Sequence, residues 1–545
     1  MITFIVFLVY FTVILVVGLI AGRHGHGDSD EYFLAGRRLP WYAVGLSMIG
    51  SNISTEHFIG TIGAAYVFGI SAANYELTAF FAMSLLIFFF LPYYFRHRLY
   101  TIPQFLEDRF DKSTRILFAG LTVIHMVLVL LAGALYAGGL IFQNLMQPEV
   151  AASAQSQPVT LTLLAGILIV ALTTGIYSIY GGLSSVVWTD VVQTLILLSA
   201  GVFVTVVALA NAGGWSSVWA TNAAAGSARV HLIQPATDSF APWPGIATLF
   251  LTLGVWYNCT NQFYIQRCFG ARTEWDSRMG IVLAGFIKQL MPLIVVFPGL
   301  IALAIYGDQL ARDQVFMTLV RDHMGPLPEA LVLTGMAAAI MSTVSSVLNS
   351  SATIFTIDVY QRFLNPTADQ QLLVRVGRRA TAVILLIGMI WAPFIAYFQD
   401  GLFLYIQDMA AYFAPSIAAI FFLGILWRGA TAFAANCTLI LGVAAGIAIK
   451  LVGPVLPEPF SALATPFLNR ALLNWLIAIA ILVLLSSLTR AREKHKSDDR
   501  PTLIWKPSYA RLPEDERRRF SGWKNFHLWW GLVLALRLIV YVIYG

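Results

Sequence analysis

The sequence is poor in charged residues and in cysteine. Only 11% of its 545 residues are charged, whereas 58% are hydrophobic, and the mean hydropathy is +0.75. Soluble domains carry roughly 25% charged residues, so this composition excludes a soluble protein. The three cysteines, Cys259, Cys268 and Cys437, lie in or beside apolar runs, which excludes a disulfide framework and a cysteine metal cluster.

Two targeting or binding signals are also missing. The first apolar segment, residues 2–22, has no basic residues before it and no convincing cleavage site, so we expect a retained helix rather than a signal peptide. The net charge is +6, but the basic residues are spread over the loops instead of forming one patch. We therefore expect no nucleic-acid partner.

Long apolar runs, by contrast, recur from one end of the chain to the other. A helix of about 20 apolar residues crosses a bilayer, so we predict an all-α polytopic membrane protein with the lipid bilayer as its surroundings. About fourteen transmembrane helices are expected. The candidate spans are residues 2–22, 41–69, 72–95, 116–145, 159–179, 185–211, 243–265, 280–306, 329–361, 376–398, 402–427, 429–453, 471–489 and 526–544.

The basic residues predict the orientation in the cell membrane. With the amino terminus outside, the inner loops hold 27 of the 34 basic residues and the outer loops hold 5, while Lys288 and Arg537 lie inside spans. The positive-inside rule therefore places both termini outside. The longest inner loop, residues 490–525, is expected to be a solvated basic linker that contacts lipid headgroups.

A polar stretch interrupts the second span at residues 47–60. Asn52, Ser54, Thr55, Glu56 and His57 lie there at membrane depth, between two glycines. This pattern predicts a broken helix, because freed backbone groups survive in a membrane only where they line a cavity or bind something. Freed carbonyls suit a hard cation, and freed amides suit a polar or anionic group. The alternative is a continuous helix with a polar seam facing its neighbours.

A second polar interruption, Asn258 to Asn261, lies in the seventh span, five spans after the first. Matching breaks predict two inverted five-helix repeats with broken first helices and the substrate between them. The expected units are residues 1–40 (first helix and inner loop), 41–211 (first repeat), 212–242 (outer loop), 243–427 (second repeat), 428–489 (two peripheral helices), 490–525 (cytoplasmic loop) and 526–545 (last helix).

A hydroxyl stripe follows in the ninth span. Ser342, Ser345, Ser346 and Asn349 are three and four residues apart and share a helical face. Helix packing alone could account for this stripe. Beside broken-helix carbonyls, however, hydroxyl oxygens also suit a hard monovalent cation. Carboxylates are too few for calcium, and soft ligands for a transition metal are lacking.

Ionisable residues inside spans are few and are expected to face a cavity or a partner. Those that stand out are Glu56, His57, Glu76, Asp190, Lys288 and Asp408. Lys288 with one carboxylate could be a purely structural pair. Gln407 can donate and accept hydrogen bonds, and aromatic residues lie near the breaks at Tyr75, Tyr257, Phe263, Tyr264 and Tyr405. Such a combination suits a sugar or polyol.

Several longer motifs resemble a known family. They are residues 30–41 (DEYFLAGRRLPW), 51–60 (SNISTEHFIG), 177–183 (YSIYGGL), 188–190 (WTD), 261–267 (NQFYIQR), 339–343 (AIMST), 358–360 (DVY) and 405–407 (YIQ), together with Lys288 in a proline-containing span. The chain resembles sodium/solute symporters of the sodium–glucose cotransporter branch, which have the leucine-transporter type of inverted-repeat fold. The resemblance implies sodium-coupled import of a hexose, with myo-inositol as a close competitor.

The resemblance also implies site residues. Sodium would bind carbonyls of Gly50, Ile53 and Ala339 and hydroxyls of Ser342 and Thr343. The sugar would bind Asn52, His57, Glu76, Asn261, Lys288 and Gln407, above Tyr264 as an inner gate. A second sodium is expected at Asp190, Ser345 and Ser346, with helix capping or an arginine partner as the alternative role of Asp190.

Other functional classes stay open at this level. A proton-coupled carrier would use Glu76 or Asp190, and a non-transporting sensor or a channel could be built on the same fold. No covalent chemistry is needed for the expected transport, so we do not expect an enzyme.

Overall fold

The computed structural model describes residues 2–23, 28–54, 56–146, 159–397, 401–490 and 503–545. Thr55 and the side chains of Glu56, Tyr405 and Asp408, which the sequence analysis singled out, lie outside the described part. The described residues form helices and no β-strand; two isolated bridges join Leu39 to Ala271 and Gln234 to Pro242. The predicted all-α class is confirmed.

The helices run as follows. The first part of the chain contains α1 (Ile2–Gly22), α2 (Ser29–Leu34), α3 (Trp41–Asn52), α4 (Ile62–Phe68), α5 (Asn74–Leu85), α6 (Leu91–Arg96), α7 (Ile102–Arg109), α8 (Lys112–His125), α9 (Ala132–Met146), α10 (Leu161–Asn211) and α11 (Trp215–Ala225). The second part contains α12 (Trp243–Thr248), α13 (Gln262–Phe269), α14 (Glu274–Val295), α15 (Phe297–Tyr306), α16 (Val315–His323), α17 (Pro326–Ile354), α18 (Gln370–Trp391), α19 (Gly401–Leu426), α20 (Ala432–Val452), α21 (Phe460–Ala464), α22 (Phe467–Thr489), α23 (Glu514–Arg519) and α24 (Phe526–Tyr544).

Short segments of π-helix and 3-10 helix connect many of these helices. The π-helical segments are Glu56–Thr61, Leu86–Phe90, Met126–Leu131, Val255–Thr260 and Phe355–Leu364. The 3-10 segments are Ala35–Arg37, Gly69–Ala73, Ser227–Val230, Arg312–Gln314, Ala392–Tyr397, Gly453–Val455, Pro507–Ala510 and Gly522–Lys524. Two of the π-helical segments lie next to the predicted helix breaks.

Within the described residues, eleven helical segments are long and apolar enough to cross a membrane. The sequence-based count was fourteen, and interrupted helices account for the difference. Residues 41–52 and 243–269 contain helices too short to qualify alone, and α10 counts once although it has 51 residues. A straight helix of that length would measure roughly 77 Å, more than twice the hydrocarbon thickness of about 30 Å. Gly182, with φ 56° and ψ −143°, interrupts it instead.

Both predicted breaks are present. Helix α3 ends at Asn52, and Ile53 has an extended backbone with φ −82° and ψ 118° before the π-helical segment that begins at Glu56. In the later segment the order is reversed: a π-helical turn ends at Thr260, and Asn261 has φ −83° and ψ 119° before α13 begins. Ile53 and Asn261 thus have nearly the same extended dihedral angles at the two breaks.

Helix α17 lies at the centre of the protein. In its most apolar window 94% of the residues are buried, compared with 17% for α1 and for α24. It packs mainly against α10, and α3 packs against α14. Because small and hydroxylated residues dominate its middle, neighbouring helices approach closely. Helices α19, α20 and α22 pack together as a separate group.

The loop between α22 and α24 differs from the solvated linker expected from its charge. The backbone N–H of Trp505 donates to the Ile425 carbonyl at 3.0 Å, and its indole N–H donates to the Phe88 carbonyl at 2.9 Å. The ring of Phe520 stacks on Trp275 with centroids 4.1 Å apart. Aromatic residues fix the described part of the loop, 503–525, against the helix ends, whereas most of its charged side chains are exposed to solvent. The expectation of a solvated linker was therefore wrong for the anchoring residues Trp505 and Phe520.

Candidate functional site

A mainly apolar cavity with a polar wall lies where the first break meets α5, α14, α17 and α19. Its empty volume is about 1350 Å³, which includes space open to solvent. Five of the six predicted substrate residues line it: Asn52, His57, Glu76, Lys288 and Gln407.

Glu76 contacts two other polar side chains of the cavity wall, those of Lys288 and His57. Its side chain is only 3% exposed, and the Lys288 ammonium donates to Oε2 at 2.7 Å. His57 Nε2 lies 3.2 Å from Oε1. A carboxylate at this depth needs partners of opposite charge or strong donors. The Glu76–Lys288 pair joins residues 212 positions apart in the sequence. The cavity is therefore lined by a carboxylate whose charge is compensated.

The environment of His57 identifies its tautomer. The backbone N–H of Ser54, just after the break, donates to His57 Nδ1 at 3.3 Å. With Nδ1 accepting, the ring proton of a neutral imidazole is on Nε2, from which it donates to Glu76. Both ring nitrogens therefore have protein partners, and His57 orients the carboxylate as well as lining the cavity.

Three polar atoms near the breaks have no hydrogen-bond partner within the described part of the chain. They are Asn52 Oδ1, Asn261 Oδ1 and the hydroxyl of Tyr264. Asn52 Nδ2 donates to the Tyr257 hydroxyl at 2.8 Å, which joins the two broken helices directly. Buried polar groups seldom stay unpaired without a reason. A hydroxylated ligand or water would satisfy these atoms.

Aromatic rings form much of the remaining wall. Tyr75, Tyr257 and Phe263 line the cavity, as the sequence led us to expect. Tyr264 is fully buried and lies against Tyr257, with ring centroids 5.6 Å apart. Neither Tyr264 nor Asn261 is part of the cavity wall, so the predicted gate lies behind the first layer of side chains.

The predicted sodium residues lie together in the interior. Gly50, Ile53, Ala339 and Ser342 are buried, and a Cβ placed on Gly50 would be 3.1 Å from Ser342 Oγ. The hydroxyl of Thr343 donates to the Ala339 carbonyl at 3.1 Å. Helix α3, just before the first break, is therefore in direct contact with α17 at Gly50 and Ser342.

The residues predicted for a second sodium surround a buried ion pair. Asp190 accepts hydrogen bonds from Ser342 at 2.6 Å and from Arg267 at 3.0 Å. Ser346 Oγ also accepts from Arg267, whereas Ser345 donates to the Ser342 carbonyl at 3.0 Å. The expected alternative, an arginine partner for Asp190, is what this structure contains.

Sequence reasoning missed three members of this cluster. Arg267 was counted as an inner-loop residue, but it is fully buried, so that assignment was wrong. Ser47 and Ser51 both donate to Asp190, at 2.6 and 3.3 Å. The polar stretch at 47–60 contains both serines, and that signal could have identified them. No local signal turns Arg267 inward, because its partner is 77 residues away.

Comparisons with known proteins agree with this architecture. The family model described as "Sodium:solute symporter family" matches residues 32–442. A sodium/glucose cotransporter of Vibrio parahaemolyticus is 34% identical over 88% of this chain and 89% of its own length. Sodium/myo-inositol cotransporter 2 of Sus scrofa is 30% identical over 83% of this chain and 70% of its own.

Solved structures show the same fold at low identity. A Na⁺-coupled sialic acid symporter in a substrate-bound outward-open state has a TM-score of 0.76, with 19% identity over 90% of this chain and 98% of its own. A nucleobase-cation-symport family transporter in a closed conformation has a TM-score of 0.52 and 13% identity over 88% and 99%. The chain belongs to the sodium:solute symporter family of membrane transporters, in which sodium is the coupling ion.

Proposed function

We propose that this protein imports a hexose together with sodium by alternating access. The observation that carries the proposal is the cavity wall of Glu76, Lys288, His57 and Gln407. Among the described lining residues, the one carboxylate is that of Glu76, and an ammonium 2.7 Å away compensates its charge. The described wall therefore favours a neutral ligand rich in hydroxyls over a net ion. The similar Vibrio protein is a sodium/glucose cotransporter.

Myo-inositol is the second candidate because a similar relative is a sodium/myo-inositol cotransporter. Both ligands present a ring of hydroxyls, and Asn52, which lines the cavity, has an oxygen without a partner among the described residues. A site that hydrogen-bonds particular hydroxyls discriminates against analogues that lack them. Because the family is sodium-coupled, we propose sodium rather than a proton as the coupling ion of this protein.

We also propose the number of membrane spans, the inverted repeats and the orientation of the termini. Fourteen spans follow if α10 crosses twice around Gly182 and if each broken helix crosses once. Two inverted five-helix repeats agree with the matching dihedral angles at Ile53 and Asn261. Without the buried Arg267, 26 of the 27 inner basic residues remain against 5 outer ones, which supports both termini outside.

Sodium would stabilise the arrangement in which the first break and α17 are in contact. The proposed ligands are carbonyls of Gly50, Ile53 and Ala339 with the hydroxyls of Ser342 and Thr343. Since Ser342 donates its proton to Asp190, its lone pairs remain available to a cation. An ion that binds one conformation better shifts the population towards it, and Tyr264 would then control release on the inner side.

The second sodium, proposed at Asp190, Ser345 and Ser346, would compete with Arg267. Its guanidinium already bonds Asp190 and Ser346, so an ion must take its place at the carboxylate. The sialic acid symporter of similar fold is described as having a novel Na⁺-site. The reversal potential of sugar-coupled current in liposomes measures the ratio: two sodium ions per sugar supports this site, and one rejects it.

A substrate panel tests the proposed function. Purified full-length protein in proteoliposomes is given an inward sodium gradient and labelled glucose, galactose, myo-inositol or proline. We expect saturable uptake of a hexose, weaker uptake of myo-inositol and none of proline. Preferred uptake of proline or of an anion would reject the proposal.

Gln407→Ala refines this experiment. It should weaken hexose affinity about tenfold or more, because a hydrogen-bond partner of a sugar hydroxyl is lost, and it should change the preference between glucose and galactose. Gln371→Ala, at an exposed position of α18, is the matched control and should behave like wild type. Unchanged affinity and epimer preference in Gln407→Ala would remove Gln407 from the site.

A further inference from the structure

Arg537 is a buried cation in an otherwise apolar helix. It is the one Asp, Glu, Lys or Arg residue of α24, which has 19 residues and is largely exposed to the surroundings of the protein. Its side chain nevertheless has 0% exposure. A guanidinium has five N–H donors, and a charge within a membrane span is retained only where it has partners. The function proposed above does not use Arg537.

The guanidinium reaches two neighbouring helices. Its Nε donates to Gln289 Oε1 at 2.8 Å, and its Nη1 donates to the Leu77 carbonyl. Its Nη2 donates to the Gly285 carbonyl at 3.4 Å, and the group lies over the Phe80 ring, 5.1 Å from the centroid. Among the described residues, no carboxylate forms an ion pair with Arg537 within 4.0 Å. The cation is therefore held by neutral acceptors of α5 and α14.

These acceptors flank the polar wall of the cavity. Leu77 follows Glu76 on α5, and Gln289 follows Lys288 on α14. Gly285 lies one turn before Gln289 on the same helix. Arg537 thus connects the two backbones that carry the Glu76–Lys288 pair, from the side opposite the cavity. A shift of either helix would lengthen the 2.7 Å contact between the two charges.

We propose that Arg537 is a positioning residue, which holds α5 against α14 so that Glu76 and Lys288 present a fixed pair to the substrate. This inference rests on the proposed sugar site. Rigid support of this kind is needed because a site that is looser by about 1 Å loses much of its affinity.

Helix α24 itself supplies the control. Trp530 and Arg537 are seven residues apart and therefore share a face, and the Trp530 indole N–H donates to Ser84 Oγ at 2.9 Å. Ser84 lies two turns along α5 from Glu76. Trp530→Phe removes a hydrogen bond between α24 and α5 at a distance from the Glu76–Lys288 pair. The variant therefore reports on the packing of α24 alone.

The first test measures ligand binding by thermal stabilisation of the full chain in detergent. Arg537→Gln should raise the apparent dissociation constant for glucose or galactose about tenfold or more, while the stabilisation by sodium without sugar stays as in wild type. Arg537→Lys keeps the charge and should recover part of the sugar affinity. Trp530→Phe should leave both ligands unaffected. Unchanged sugar affinity in Arg537→Gln, or an equal loss for sugar and sodium, would overturn the inference.

The second test does not depend on the substrate. A double-mutant cycle combines Arg537→Gln with Lys288→Met and measures the midpoint of thermal unfolding without ligand. Positioning predicts a non-additive loss, whereas Trp530→Phe with Lys288→Met should be additive. Additive losses in the Arg537 cycle would refute the positioning role. If no sugar stabilises the wild type, the proposed function fails, and this cycle still decides the role of Arg537. If Arg537→Gln does not fold, Arg537→Lys replaces it in both tests.

Discussion

Replacing Asp190 by asparagine removes the one carboxylate among the described residues that pairs with Arg267. Both side chains have 0% exposure, and Arg267 lies 3.0 Å from the carboxylate. The guanidinium would keep Ser47, Ser346 and the Phe263 carbonyl as acceptors, but no opposite charge. Breaking a buried pair on one side costs about 3–5 kcal/mol, so we expect Asp190→Asn to unfold at a clearly lower temperature.

Neutralising both partners should restore much of this loss. In Asp190→Asn with Arg267→Gln, two amides replace two charges, and the surrounding serines can still donate and accept. A buried pair that is replaced on both sides often costs little. We therefore expect the double variant to be more stable than Asp190→Asn alone, with a coupling energy of about 2 kcal/mol or more.

Thermal unfolding in detergent, followed by tryptophan fluorescence, measures the cycle. All variants are scanned at one heating rate, because membrane proteins of this size often unfold irreversibly, and choline replaces sodium so that ion binding does not contribute. Glu514→Gln breaks the Arg518–Glu514 pair, whose side chains are 80% and 65% exposed, and should change little. A double variant that loses the sum of both single losses would refute the reasoning.

Three further outcomes follow from the structure. Ser342→Ala should raise the half-saturating sodium concentration of uptake about tenfold or more, since a coordinating oxygen contributes about 1–3 kcal/mol. The control is Thr334→Val, because the Thr334 hydroxyl donates to the Ala330 carbonyl of the same helix. An unchanged sodium dependence in Ser342→Ala would exclude Ser342 as a sodium ligand. Although burial alone would raise the pKa of Glu107, hydrogen bonds from Arg362 and Arg115 lower it from 4.5 to about 2. Its stabilisation is therefore complete above about pH 4.5 and is lost as the pH falls towards 2. Thermal scans should show a flatter acid dependence for Glu107→Gln, and equal profiles would contradict this. Gly182→Ala should reduce expression and thermal stability, because a Cβ at Gly182, where φ is +56°, would clash with the Tyr32 carbonyl. Gly213 also has a positive φ, +78°, but its nearest contact would be at 3.7 Å, so Gly213→Ala measures backbone strain without a clash. Equal losses in the two variants would contradict the role of the clash.

The sequence predicted the helical class and the break at residues 47–60 because a membrane limits the choices. Polar residues at that depth must face a cavity or one another, so Asn52 and His57 could be assigned to a site without coordinates. Pairing across the chain was less accessible. Lys288 had several candidate carboxylates, and only the packing of α5 against α14 selects Glu76.

The remaining differences have physical causes of the same kind. Arg267 looks like a loop residue because it follows the break by six positions, yet α13 turns it towards Asp190. The charge of residues 503–525 predicted solvation, but aromatic stacking and backbone hydrogen bonds hold this segment against the helices. Kinks also change the apparent number of spans, since two apolar runs follow one another as one helical segment although the backbone is not helical at Gly182. Such features depend on contacts between distant residues.

Accumulation of labelled hexose in proteoliposomes tests the proposed transport most directly. The purified protein is reconstituted with an inward sodium gradient, with choline in place of sodium, or with an inward proton gradient and no sodium. We predict accumulation above the outside concentration only with the sodium gradient, and collapse of the gradient should release the sugar. Equal hexose accumulation with choline, or accumulation driven by protons alone, would contradict sodium-coupled sugar import.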